Sequence, residues 1–205
     1  MNQSFDELAK IFSRFPGIGE RQARRFVYYL LRESPKNVEH LSDLLRGLKK
    51  NITQCPICFR YFAYDGNEYC DICANTSTDF SKLLIVEKDA DLESVRKSHA
   101  YTGGYFVLGG LVPIADSATL EQVRLSALAA RVGSLLQEET LGEIILAFPL
   151  TPHGEHTDSF LRAKLEALVS GSPVKVTSLG RGLSTGSELE YADRQTLENS
   201  LNNRK

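Results

Sequence analysis

The sequence predicts an α/β protein made of a small helical head, a short cysteine element, a body with a mostly parallel sheet and a C-terminal helical segment. Three observations carry this. Apolar residues recur at helical spacing through the first 50 residues, four cysteines fall between residues 55 and 73, and from Ser81 short apolar runs alternate with amphipathic stretches. Such alternation gives parallel strands covered on both faces. The expected divisions are 1–53, 54–77, 78–178 and 179–205.

In the head, Phe5, Leu8, Ile11 and Phe12 lie on one helical face, and "ARRFVYYLL" continues as a second helix after the turn in "FPGIGERQARRF" at 15–26. A third helix is expected from Val38 to Leu48. Residues 54–74 hold "CPICFRYFAYDGNEYCDIC", with "YDGN" as a turn between two cysteine pairs. The stretch is too short for a hydrophobic core of its own. The body reads as "LLIVE" strand, Ala90–Ser98 helix, "GYFVLGG" strand, Leu120–Gln137 helix, "EIILAF" strand, Asp158–Val169 helix and "VKVTSL" strand, with a polar helix near the C-terminus.

The 205 residues carry a formal charge of −2 that hides an asymmetry. Residues 1–50 have ten Lys and Arg against six Asp and Glu, and the remainder has fourteen against twenty. An acidic body excludes a protein that coats nucleic acid over its whole surface, whereas a basic head suits a local phosphate contact. No basic segment followed by an apolar run opens the sequence, and no stretch approaches the roughly 18 apolar residues of a membrane span. A soluble cytoplasmic protein without membrane association is expected.

Cys55, Cys58, Cys70 and Cys73 form C-x2-C-x11-C-x2-C, two pairs able to converge as thiolates on one tetrahedral Zn²⁺. Four soft ligands leave no open position, so such a metal is structural. Two disulfides, four free thiols or an iron–sulfur centre are the alternatives, and a reducing compartment weighs against the disulfides.

Gly17 and Gly19 permit a tight hairpin whose backbone can come close to another molecule, and the helix beginning near Glu20 points its free N–H groups at the turn. Arg21 and Arg25, four apart with Arg24 beside them, can supply phosphate contacts. A glycine-containing helix turn with a solvated basic face is the plain alternative. In the body, Glu87 and Asp89 end the first strand, and the cluster "PHGEHTD" follows "EIILAF". Together they raise a Mg²⁺ site for phosphoryl transfer, against a solvated loop. His153 and His156, on a Pro/Gly loop, are expected to be solvated rather than ligands.

Taken in order, these segments resemble the bacterial RecR family of recombination mediators. The hairpin resembles a helix-hairpin-helix motif, h-P-G-h-G-x-x-x-A, with Ala23 at its small packing position. The four cysteines, a Toprim-type domain, "YFVLGGLVPIAD" at 105–116 and "RGLSTGSELEYAD" at 181–193 follow as in that family. The resemblance implies that Gly17, Gly19, Arg21, Arg24 and Arg25 contact DNA, whether double-stranded, single-stranded or gapped. It also implies one structural Zn²⁺, a homodimer or homotetramer, and RecO and RecF as partners in loading RecA.

Catalytic Toprim enzymes bind Mg²⁺ through a Glu after the first strand and a later Asp-x-Asp pair. Glu87 fills the first place, but Pro149 and Thr151 fall at the two Asp positions, so no residue is assigned a catalytic role. The alternative is a Mg²⁺-dependent Toprim nuclease or topoisomerase-like enzyme. The family's "NPTVEGEAT" reads "PLTPHGEHT" here, which leaves Glu87 and Glu155 as the residues implied in partner docking.

Overall fold

The computed structural model describes residues 3–115, 123–180, 182–183, 186 and 188–202. The chain divides into two compact units, one of residues 1–53 with 63–65 and the other of 54–62 with 66–205.

The first unit is helical: α1 (Gln3–Phe12), α2 (Glu20–Arg32) and α3 (Pro35–Asn51). Ala9, Ala23 and Val27 are buried among its described residues, and Phe12 lies 5.8 Å from Phe26, ring centre to ring centre. Small residues at 9 and 23 let the first two helices approach closely. Ser34 caps α3 by accepting from the Asn37 N–H, and Pro35 takes the first helical position, where its missing N–H costs nothing. The third helix therefore starts three residues ahead of the expected Val38.

The second unit holds a sheet of order β4-β3-β5-β6, formed by β3 (Asp79–Val86), β4 (Gly103–Val107), β5 (Glu143–Ala147) and β6 (Lys175–Ser178). All three pairings are parallel. The alternation along β3 separates two cores. Leu83 and Ile85 join Phe106, Ile144 and Leu146 beneath α5 (Leu125–Gln137) and α6 (Pro152–Leu168). Leu84 and Val86 join Tyr105, Val107 and Leu92 beneath α4 (Asp89–Ser98). Two further short strands, β1 (Ile52–Gln54) and β2 (Tyr61–Ala63), pair around the first cysteine knuckle. Near the C-terminus a single helical turn at Leu189–Tyr191 precedes α7 (Arg194–Asn202), the expected polar helix.

Two further boundaries differ from the sequence reading. The helix expected from Leu120 begins at Leu125, and residues 120–122 lie outside the described set, as does Asp116 of "YFVLGGLVPIAD". The larger correction concerns "PHGEHTD", which is not a loop: α6 starts at Pro152. Thr151 caps it by accepting from the Gly154 N–H at 3.2 Å, and Pro152 again takes the first position. Thr157, fully buried, donates to the His153 carbonyl and accepts from the Val112 N–H at 2.9 Å.

Gly154 is required by space. A Cβ there would sit 2.0 Å from the Pro149 carbonyl oxygen, which as backbone cannot yield. Gly154→Ala is expected to destabilise the unit by at least about 2 kcal/mol. The same change at Gly133, where a Cβ meets nothing within 4 Å, should stabilise α5 by about 0.5–1 kcal/mol. Urea midpoints for the two variants check both signs.

Candidate functional site

The hairpin is built by a four-residue turn. Pro16 and Gly17 are its central residues, Ile18 donates to the Phe15 carbonyl at 3.0 Å, and Gly17 adopts φ of +76°, the pattern of a type II turn. Gly19 then caps α2 in extended conformation without a side chain over the helix end. Among the described residues other than the chain neighbours, nothing lies within 4 Å of where a Cβ of Gly17 or Gly19 would be, so the turn is open to an approaching molecule.

The three arginines are not equivalent. Arg21 and Arg25 are exposed, and Arg25 donates to Gln22 at 3.4 Å. Arg24 instead turns back to Glu20 at 3.4 Å and Asp6 at 3.7 Å, which joins α2 to α1. The hairpin thus offers two outward cations and the first-turn N–H groups of α2, while the third cation serves the packing of the head.

The cysteine element brings its four sulfurs within 4.8 Å of one another, with Cys58 and Cys70 at 3.5 Å. A tetrahedral metal with bonds of about 2.3 Å to sulfur has sulfur–sulfur edges of about 3.8 Å, so the donor set fits a metal ion. The local backbone is shaped for thiolates. The first knuckle closes through Phe59 N–H to Cys55 O and Cys55 N–H to Arg60 O, with Phe59 at φ of +62°. Hydrogen bonds from Cys58, Cys70 and Cys73 hold the Cys55 thiol far below its ordinary value, and the same crowding, led by Cys55, pushes Cys73 up. Among the described residues this is the one group of three or more metal-ligating side chains so gathered.

The element also rests on the sheet. Val107 N–H donates to the Cys58 carbonyl at 2.8 Å, Tyr61 N–H to Asp89 Oδ1 at 2.7 Å, and Thr78 Oγ1 to the Ile72 carbonyl at 2.7 Å. It thereby covers one end of β4, an edge strand whose free backbone groups would otherwise invite pairing.

Glu87 follows β3 and is partly buried, 4.0 Å from Lys88 Nζ. Glu155 stands in the first turn of α6, and Thr151 spends its hydroxyl on the cap. His153 is exposed, and the His156 ring lies 6.4 Å from that of Phe160. Sequence reasoning missed Arg60, which is buried and bonded to Asp71 and Glu93, because its partners are 11 and 33 residues away. Of "RGLSTGSELEYAD", residues 181, 184, 185 and 187 lie outside the described set.

A hairpin-bearing helical head, four cysteines gathered so that they could hold a metal ion, and a parallel sheet with Glu87 directly after β3 define a Toprim-domain protein of the helix-hairpin-helix type. Three family models match it consecutively: RecR helix-hairpin-helix at residues 5–48, Toprim domain at 81–179 and RecR C-terminal at 182–205. The chain is similar over 100% of its length to a recombination protein RecR of Dehalococcoides mccartyi, at 36% identity and covering 93% of that protein. It is 36% identical to that of Bacteroides thetaiotaomicron, over 94% of the chain and 89% of the relative. With that of Erythrobacter litoralis it shares 32% identity over 100% of the chain and 98% of the relative. The chain belongs to the RecR family.

Proposed function

We propose that the chain is a DNA-binding recombination mediator of the bacterial cytoplasm, which clamps DNA and acts with RecO and RecF to load RecA on gapped or protein-coated single strands. The observation that carries this reading is the end-to-end likeness to relatives named recombination protein RecR. The open hairpin with Arg21, Arg25 and the amides near Gly17 and Gly19 is the DNA contact, and Arg24 holds the head together beside it. Zn²⁺ is the metal of Cys55, Cys58, Cys70 and Cys73, where a closed set of four thiolates calls for a structural ion. The acidic surface with Glu87 and Glu155 receives the protein partner. The working unit is a homodimer or homotetramer. In support, α3 has no buried residue, and Val38, Leu41, Leu45 and Leu48 are exposed along it. No helix among the described residues is long and apolar enough to cross a membrane.

Binding to gapped DNA with and without RecO tests the reading: affinity for the gap that rises with RecO supports it, and no affinity in either case overturns it. The body acts without catalysis, since Pro149 and Thr151 offer no carboxylate to Mg²⁺. Adding Mg²⁺ is therefore expected to cause no nicking or relaxation of supercoiled DNA. Nicking that disappears in Glu87→Gln would make the chain an enzyme.

A further inference from the structure

Four charged side chains join the cysteine element to α4. Arg60 Nη1 donates to Asp71 Oδ1 at 2.6 Å and Arg60 Nη2 to Glu93 Oε1 at 2.9 Å. Arg96 of α4 donates to the other oxygen of Asp71 and lies 3.8 Å from Glu93. Asp71 sits inside the second cysteine pair, and Glu93 belongs to the helix that follows Glu87.

The burial within this network is uneven. The side chain of Arg60 is 8% exposed, against 55% for Asp71 and 39% for Glu93. Its Nε is buried with no hydrogen-bond partner among the described residues. A buried cation is costly unless opposite charge stands beside it in the same dry environment, and two partly solvated carboxylates supply this only in part. The missing charge is next to it. Arg60 stands two residues after Cys58, its carbonyl accepts from the Cys55 N–H, and its guanidinium is held by Asp71, between Cys70 and Cys73. Cys55, Cys58 and Cys70 are fully buried, so a divalent ion held by the four thiolates would place a net double negative charge in the interior of the element that Arg60 belongs to.

We propose that Arg60 is the outer counter-cation of the four-cysteine metal site and the residue through which metal occupancy positions α4. This rests on the metal reading of the cysteines, which the metal content of the unaltered protein tests by itself. With the ion bound, the sulfur charge holds Arg60, and Arg60 and Asp71 hold Glu93 and Arg96. Without the ion Arg60 loses its buried counter-charge, and the network on α4 loosens.

The test uses the full-length Zn²⁺-loaded protein, a chromophoric chelator in competition for Zn²⁺, and amide exchange over residues 89–98. Arg60→Met should hold Zn²⁺ about 10- to 100-fold more weakly, the usual effect of removing an outer-sphere partner. Glu93→Ala cuts the link to α4 but leaves the cation beside the sulfurs. It should speed exchange over 89–98 while leaving Zn²⁺ retention near that of the parent. Arg60→Lys, which keeps the charge, should retain Zn²⁺ better than Arg60→Met and keeps the test alive should the Met variant fail to fold. Stripping Zn²⁺ from the parent should speed exchange over 89–98 more than over α5. Equal Zn²⁺ retention in the parent and a folded Arg60→Met, or equal loss in Glu93→Ala and Arg60→Met, would overturn the proposal. So would equal loss in Arg60→Lys and Arg60→Met.

Discussion

Cys70→Ala is expected to take the metal content from about one ion per chain to near zero. Residues 54–74 should lose their fixed structure with it. The element's own packed cluster is small: it is Cys55, Cys58 and Cys70 themselves, with Ile57, Phe62, Ile72 and Cys73 around them. For segments of this kind, metal binding supplies the folding free energy, about 10–16 kcal/mol for a structural zinc in a finger peptide. The loss should spread along defined contacts. Cys58 O receives the Val107 N–H of β4, so the sheet edge beneath it should become exchangeable, whereas the core of Leu135, Ile144 and Leu161 lies under α5 and α6 and should persist. Metal analysis with limited proteolysis checks both parts. Full retention of metal by Cys70→Ala, with no new cleavage between 54 and 74, would remove the site.

What could be read from the sequence followed from short-range patterns. The cysteine spacing, the glycine hairpin and the apolar runs that became β3 to β6 each depend on residues a few positions apart, where periodicity and turn chemistry act. The start of α6 was also written locally, since Thr151 before Pro152 is a cap followed by a first-position proline. The polar, glycine-containing "PHGEHTD" concealed it, because amphipathic spacing is weak there and Gly154 serves tight packing rather than a turn. Arg24 shows a different limit. Spacing places it beside Arg21 and Arg25, but Asp6 of a neighbouring helix decides where it points. The contacts of Arg60 with Glu93, and of Val112 with Thr157 across 45 residues, exist only after folding and left no local trace.

A double variant, Arg21→Glu with Arg25→Glu, is expected to lose DNA binding on all sequences alike, since phosphate contacts carry no base information. The salt dependence gives a second, quantitative readout. Each duplex phosphate contact removed should lower the log–log slope by about 0.9, so two lost contacts lower it by about 1.8. The fold should survive. Both side chains are exposed, whereas Ala23 and Val27 form the packed face of α2 and Arg24 keeps its pairs with Asp6 and Glu20. Arg24→Glu is the contrasting change: it places a carboxylate against two others and should lower the stability of the head as well as binding. RecO association measured without DNA should be unaffected in the double variant, because the acidic surface proposed for it belongs to the other compact unit. Unchanged DNA affinity in a folded double variant would leave the hairpin as architecture and move the DNA contact elsewhere on the chain.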